Sequence, residues 1–205
     1  MLSIIIPHKN TPQNNESLEL AKRSIQENTS CKYELMVITD PPGCPGQDPY
    51  NLWNVHVPKA KFDHIVFSNS DVVFGPYWDS YFCKYLGDNR ILTQFLVEPG
   101  VIGVSLNNIK QDWGTKPSNF QYNVFCNWVR QVMPQVPEIE EKMGHHMPSV
   151  VYKDFFLRMG GFQCVMPFPH GNDQTFFATC IHNGAKIYKV RSFAYHFQQL
   201  SRTPR

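Results

Sequence analysis

The sequence has no marked excess of charge of either sign. Its 205 residues include 19 Lys and Arg against 17 Asp and Glu, which gives a formal net charge of +2. A nucleic-acid-binding surface or a basic membrane anchor usually leaves a stronger imbalance than this. The composition therefore carries no clear signal for a nucleic-acid or membrane partner.

Long apolar runs and targeting segments are also missing. No stretch approaches the roughly 18 apolar residues of a membrane-spanning helix. The apolar start at residues 2–6 ends at Pro7 and has neither a basic leader nor a small-residue cleavage site. We therefore expect a soluble protein that is not exported and that resides in the cytoplasm.

Two recurrent classes of motif are absent. No CxxC pair occurs among the six cysteines, so we expect free, mostly buried thiols rather than disulfides or a zinc site. Neither the P-loop pattern GxxxxGK followed by Ser or Thr nor the pattern GxGxxG occurs, which argues against P-loop hydrolases and standard dinucleotide dehydrogenases. A bound nucleotide would need another counter-charge for its diphosphate, such as a metal held at Asp71.

The residues that are present predict one α/β domain over residues 1–205. The sequence is 42% hydrophobic and 14% aromatic, which is enough to bury a core of ordinary size. Apolar runs predict strands at 2–6, 33–39, 64–67, 72–74, 101–106, 149–152 and 186–190. Helical patterns cover 16–28 (capped by Asn14 or Asn15), 77–86, 153–159 and 172–183. A loop is predicted at 44–54, followed by a short helix through about residue 61, and an aromatic, helical segment lies within 120–143. This alternation predicts a sandwich around a mainly parallel sheet.

Polar residues follow three of the predicted strands. They are His8 and Asn10 after the first strand, Asp40 after the second, and Asn69, Ser70 and Asp71 after the third. Ligands of open α/β sheets bind beyond the carboxyl ends of the strands. An acid there can bind a ribose or a base edge, or hold a hard divalent cation. Turn chemistry explains Asp40 equally well and is also an alternative for Asp71, while the strand-end position slightly favours a functional role.

The last third of the chain adds two further candidates. Asp173 opens a predicted helix, where its carboxylate could accept a proton or could simply cap the helix. His196 follows the last predicted strand, and a lone histidine is more often structural than a ligand. The pair His145 and His146 is interpreted as loop. Trp113, in a polar stretch, is the tryptophan that we expect to face a ligand.

The order of these segments resembles a known family. LSIIIPHKN, YELMVITD, HIVFSNSDVVF, SVVYKDFFLRMGGF, HGNDQTFF and GAKIYKVRSFAYH resemble, in order and approximate spacing, the inverting family-two glycosyltransferases of the GT-A fold. Only residues 107–148 fall outside the resemblance. It implies a single-domain GT-A (Rossmann-like) sandwich, with a nucleotide-sugar donor half at 1–106 and an acceptor and catalytic-base half at 107–205.

The resemblance also implies roles for residues of the donor pocket. Pro7, His8 and Asn10 would line the nucleotide pocket, and Asp40 would contact the base or ribose of a UDP-, GDP- or dTDP-sugar. Asn69, Ser70 and Asp71 fall on the DxD-type motif that holds a divalent metal on the donor diphosphate. Asn69 replaces the first Asp of that motif, which leaves Asp71 as its charged ligand.

The remaining implied roles concern the metal and the base. His196 falls on the C-terminal histidine that completes the site for Mn²⁺ or Mg²⁺ in some members, together with Asp71. Asp173 falls on the family's general base, and Asn172 replaces the Glu that precedes it. The departures from the family pattern at Asn69 and Asn172 both leave the proposed base, Asp173, in place.

The expected activity is transfer of a sugar to an acceptor hydroxyl with inversion, the acceptor being a glycan or glycoconjugate. Two other hypotheses stay open. The chain could be a catalytically inactive GT-A module that binds nucleotide or glycan. It could also be a nucleotidyltransferase on a related fold, which the lack of a Gly-rich loop with a following basic residue disfavours.

Overall fold

One mixed sheet organises the chain in the computed structural model, which describes residues 1–39, 49–101, 108–142, 145–163 and 172–198. The strands are β1 Leu2–His8, β2 Tyr33–Thr39, β3 His64–Phe67, β4 Val72–Phe74, β5 Arg90–Glu98, β6 Ile109–Lys110, β7 Ile139–Glu140, β8 His145–Tyr152 and β9 Lys186–His196. The helices are α1 Pro12–Asn28, α2 Pro49–His56, α3 Trp78–Tyr85, α4 Tyr122–Val132, α5 Lys153–Arg158 and α6 Asn172–His182.

The strand order is β2-β1-β3-β8-β5-β9-β4, with β6 added to β5 and β7 added to β9. Along that path β2, β1, β3, β5 and β9 run in one direction, and β8 and β4 run against them. The predicted α/β sandwich around a mainly parallel sheet is therefore confirmed. Because β8 lies between β3 and β5, the two proposed halves of the chain share one sheet.

The first strand explains why both faces of the sheet are covered. Leu2, Ile4 and Ile6 point into a core with α1 and α3, whereas Ile5 points into the opposite core with α2, α5 and α6. Successive strand residues face opposite sides, so a continuous apolar run needs helices on both faces. The Trp53 indole adds a hydrogen bond of 3.1 Å to the carbonyl of Ile5.

The glycine pair at the end of α5 serves this second core. Gly160 and Gly161 adopt φ values of 78° and 67°, which favour glycine. A Cβ on Gly161 would lie 2.5 Å from Oδ1 of Asn54, so no larger residue fits. Asn54 in turn pairs with both backbone groups of Phe162, at 2.7 and 2.8 Å. The turn thereby seats the Phe162 ring among aromatic rings of α2, β3, α5 and α6.

Three local predictions need correction. Helix α1 begins at Pro12 and is capped by Thr11, whose Oγ1 accepts from the Asn14 N–H at 3.3 Å, rather than by Asn14 or Asn15. Helix α2 occupies part of the predicted loop at 44–54, and the predicted loop at His145 and His146 is the start of β8. The predicted strand at 101–106 lies almost wholly outside the described residues.

The strand that the sequence pattern missed, β5, is central to the sheet. Its apolar residues are interrupted by Thr93 and Gln94, which are buried and lie where the register of β5 shifts. The Thr93 hydroxyl donates to the Tyr188 carbonyl at 3.0 Å, and the Ser192 hydroxyl donates to Gln94 Oε1 at 2.6 Å. The Thr93 hydroxyl and the Gln94 oxygen therefore have partners on β9, whereas the buried Gln94 Nε2 has no hydrogen-bond partner within the described residues.

The cysteines that the structure describes are free thiols, as predicted, but only Cys126 and Cys180 are buried, whereas Cys31 and Cys83 are half-buried. Cys44 and Cys164 lie outside the described residues. Among the described helices, none combines the length and the apolar character needed to cross a bilayer.

The two-sided core predicts a strong contrast between matched substitutions. Ile5→Ala should lower the free energy of unfolding by about 2–5 kcal/mol, because the fully buried side chain leaves a cavity. Ile181→Ala, at a position that is 50% exposed, should change it by less than about 0.5 kcal/mol. Urea unfolding followed by circular dichroism measures both, and equal losses would contradict the assigned burial.

Candidate functional site

The carboxyl ends of β1, β3, β5 and β9 meet at one edge of the sheet, because these strands share a direction. This edge carries His8 at the end of β1, Asp71 in the turn after β3, Glu98 at the end of β5 and His196 at the end of β9. Helix α6 leads back to the start of β9, so its first turn, with Asp173, lies toward the same edge. Candidate residues from both halves of the chain therefore lie toward the same edge of the sheet.

His196 lies between two buried carboxylates. Its Nε2 is 3.4 Å from Asp71 Oδ2, and its Nδ1 donates to Glu98 Oε1 at 2.8 Å. The Asp71 and Glu98 side chains are each 6% exposed, and the His196 side chain is 22% exposed. Glu98 Oε2 also accepts from the Asn108 amide at 2.7 Å. The predicted metal ligands Asp71 and His196 are therefore neighbours, and Glu98 is a third member that sequence reasoning missed.

Backbone pairing accounts for this convergence. Val72 of β4 pairs with His196 of β9, and the Phe197 N–H donates to the Asp71 carbonyl at 3.1 Å. Pairing of Val97 with Tyr195 brings the end of β5, and so Glu98, beside the end of β9. Glu98 and His196 are thus held at strand ends, and Asp71 is held in the turn directly before β4.

The electrostatics of the cluster are dominated by His196. Burial lowers the pKa of His196, but attraction by Asp71 and hydrogen bonds to Asp71 and Glu98 outweigh that effect and raise the pKa to about 10. The imidazole is therefore charged at neutral pH. One imidazolium between two carboxylates leaves a net negative charge, which favours a further cation.

The donor set fits a divalent cation. Carboxylate oxygen and imidazole nitrogen are metal ligands in proteins, and Asp71 and His196 Nε2 present one of each side by side. Glu98 accepts the proton on Nδ1, which fixes the ring and leaves Nε2 as the coordinating nitrogen once its own proton has gone. A carboxylate on the far side of a histidine is the usual second partner of such a ligand.

His8 of β1 and Asn10 of the following turn, both predicted to line a nucleotide pocket, are held in place by Asn15 of α1. The buried His8 side chain pairs through Nε2 with Asn15 Oδ1 at 2.7 Å, and the Asn15 amide donates to Asn10 Oδ1 at 3.0 Å. His8 Nδ1 has no hydrogen-bond partner within the described residues. Pro7 is half-buried and Asn10 is exposed. This leaves an acceptor on His8 that a bound donor group could satisfy.

The other predicted site residues are less constrained. Asn69 and Ser70 are half-exposed in the turn between β3 and β4, directly before Asp71. Asp173 is half-buried in the first turn of α6, where the Gln174 N–H donates to its Oδ1 at 2.8 Å. Asp40 lies outside the described residues, as does the side chain of Asn172.

Two expectations about individual residues change. Trp113 does not face a ligand: it is 8% exposed and packs on Phe125, Trp128 and Tyr195. Trp113 is a core residue, and the polar residues around it in the sequence led to the wrong expectation. Glu98 was missed because β5 was not predicted, although an acid at the end of an apolar run (RILTQFLVE) is the same signal that identified Asp71.

Comparison with known proteins supports the architecture. No protein-family model and no curated protein sequence matches the chain. Among solved structures, GalNAc-T7 crystallised with UDP, GalNAc and Mn²⁺ is similar, with a TM-score of 0.64 and 11% identity over 96% of this chain and 43% of that one. Residues 1–349 of S. aureus TarS give a TM-score of 0.59 and 11% identity, over 94% of this chain and 59% of that one.

The TarS structure in complex with UDP gives a TM-score of 0.60 and 12% identity, over 95% of this chain and 60% of that one. These neighbours are GT-A glycosyltransferases, and the chain has their fold. It spans between 43% and 60% of the length of the three matched structures.

The raised pKa of His196 predicts a pH-dependent contribution to stability in the absence of metal. Because the pKa of His196 is raised above its ordinary value of 6.5, the charged imidazole stabilises the folded state fully below about pH 6.5. This stabilisation is lost as the pH rises through about 10. His196→Gln should therefore cost about 1.5–3 kcal/mol at pH 6, and much less at pH 10. Urea unfolding in the presence of a chelator measures this difference, and a constant loss at both pH values would contradict it.

Proposed function

We propose that this chain is a metal-dependent glycosyltransferase that moves a sugar from a nucleotide-diphosphate donor to an acceptor hydroxyl with inversion. The observation that carries the proposal is the cluster of Asp71, His196 and Glu98 at the carboxyl edge of a GT-A sheet. The solved neighbours with bound UDP, one of them with Mn²⁺, support a nucleotide-sugar donor and a divalent ion.

Asp71 and His196 would hold the ion, and Glu98 would keep the His196 ring oriented. The ion, when bound, supplies positive charge against the departing nucleoside diphosphate. We favour Mn²⁺ over Mg²⁺, because Mg²⁺ prefers an all-oxygen shell and one ligand here is an imidazole. The amide at Asn69 leaves the site with one fewer carboxylate, so more of the coordination falls to His196 and to the donor's own oxygens.

The nucleotide would lie along the ends of β1 and β3. Pro7, His8 and Asn10 would contact it from β1 and the turn that follows. Asn69 and Ser70 would contact it from the β3–β4 turn, and Asp40 would bind the base or ribose. The free Nδ1 of His8 supports this role, since a ligand donor would satisfy a buried acceptor.

Asp173 would act as the general base. The amino end of α6 favours a negatively charged carboxylate there. The carboxylate takes the proton of the acceptor hydroxyl, the hydroxyl oxygen bonds to the anomeric carbon, and the bond from that carbon to the diphosphate breaks. A single displacement inverts the anomeric configuration. In this scheme residues 1–106 bind the donor, residues 107–205 supply the base and bind the acceptor, and the acceptor is a glycan or glycoconjugate.

Donor binding should depend on metal and on Asp71. One of the UDP-, GDP- or dTDP-sugar families should raise the melting temperature with Mn²⁺, less with Mg²⁺, and not with a chelator. Asp71→Asn should weaken this metal-dependent binding at least about tenfold. Asp63→Asn, an exposed acid at the opposite end of β3, is the matched control and should bind donor normally. Metal-independent shifts of equal size in both variants would contradict the site.

Loss of the general base should lower turnover without changing donor binding. Asp173→Asn should lower the turnover number about 10²–10⁴-fold while leaving the donor-induced thermal shift unchanged, because only proton transfer is lost. Asp154→Asn, the corresponding first-turn acid of α5, is the matched control. Proton NMR of the product's anomeric position tests inversion. Near-normal turnover in Asp173→Asn, or a retained configuration, would overturn the single displacement with Asp173 as base.

A further inference from the structure

Cys31, Asp79 and Cys83 form a cluster of metal-ligating groups away from the candidate active site. One donor atom from each residue lies within 4.8 Å of the other two. Cys31 precedes β2, so the cluster lies toward the amino ends of the parallel strands, whereas Asp71 and His196 lie at their carboxyl ends. It is therefore separate from the site proposed for the donor.

The backbone holds the three residues in fixed relation. Asp79 and Cys83 are four residues apart on α3 and so share one helix face. Asp79 Oδ2 accepts from the backbone N–H groups of Ser30 and Cys31 at 2.9 and 2.7 Å, which ties the turn before β2 to that helix. The Trp78 indole donates to Thr29 Oγ1 at 3.0 Å and makes a second tie. The donors are thus positioned before any ligand binds.

One oxygen of the buried Asp79 carboxylate has no hydrogen-bond partner within the described residues. This oxygen is Oδ1, and the residue is 1% exposed. A buried carboxylate oxygen without a partner is costly, and a metal ion is one of the groups that can satisfy it. The unpartnered oxygen, together with the two nearby sulfurs, points to a cation.

We propose that Cys31, Asp79 and Cys83 bind a thiophilic divalent cation of the Zn²⁺ class. Two thiolates and a carboxylate are a donor set that suits Zn²⁺. A tetrahedral ion with bonds of about 2.0–2.3 Å separates its donors by about 3.5–3.8 Å, so a small side-chain adjustment closes this cluster around it. Cys31 and Cys83 are half-buried, which leaves room for a water as the fourth ligand.

The bound ion would tie α3 to the turn between α1 and β2. Such an ion stabilises the fold, because it binds the folded chain and finds no assembled site in the unfolded one. The proposal does not rest on the proposed transferase function. It departs from the sequence expectation of no zinc site, because here two cysteines distant in sequence supply the thiols that a CxxC motif usually supplies.

Cobalt titration of the full chain tests the site, because Co²⁺ bound to thiolate shows sulfur-to-metal charge-transfer absorption that oxygen and nitrogen ligands do not give. We expect the reduced, metal-stripped protein to bind one equivalent with this absorption, and Zn²⁺ to abolish it by displacement. Cys31→Ser and Cys83→Ser should each lower the absorption by about half or more and weaken Zn²⁺ binding at least about tenfold, and the double variant should show none. Zn²⁺ should also raise the melting temperature of the wild type and not of these variants.

Two controls separate the alternatives. Cys126→Ser, at a buried cysteine on α4, and His196→Asn, in the candidate donor site, should both keep the charge-transfer absorption. Absence of the absorption from reduced wild-type protein would overturn the proposal. So would its persistence at undiminished intensity in both Cys31→Ser and Cys83→Ser, or its presence in the double variant. Mass spectrometry verifies that the thiols are free, and a Cys31–Cys83 disulfide whose reduction restores no Co²⁺ binding would likewise overturn it.

Discussion

Two carboxylates buried at one edge of the sheet, Asp71 and Glu98, impose the constraint on which the candidate site depends. Removing such charges from water is costly unless a cation lies between them, and the His196 imidazolium meets that need. The position of His196 follows from the pairing of β9 with both β4 and β5. In the proposed metal site, a divalent ion at Asp71 and His196 would take over the same electrostatic role.

The two ends of the sheet carry different chemistry. The carboxyl end presents oxygen and imidazole donors, which suit a hard or borderline ion. The amino end presents two thiols and the carboxylate of Asp79, which suit a thiophilic ion and tie a helix to a turn. In the described part of the chain, both clusters join elements that are far apart in sequence. We infer that one end serves ligand chemistry and the other serves the integrity of the fold.

Much of the local structure was predictable, for physical reasons that differ by element. Strands β2 and β3 have their predicted bounds, because branched apolar runs between polar turns fit few other structures. Strand β5 was missed because the polar residues Thr93 and Gln94 break its pattern, and their partners lie on β9. Trp113 was misjudged for the related reason that polar neighbours in sequence say little about the aromatic residues that surround it in space.

The sequence by itself determined that the sheet is buried on both faces and that polar residues such as His8 and Asp71 follow its strands, since both properties depend on local order along the chain. Only the tertiary structure decided which of these residues meet. Glu98 and His196 are 98 positions apart, and they touch because β5 and β9 lie side by side. Cys31 and Cys83 converge because Asp79 binds the turn before β2. Strand order and helix packing bring such residues together, and neither is encoded in a local spacing.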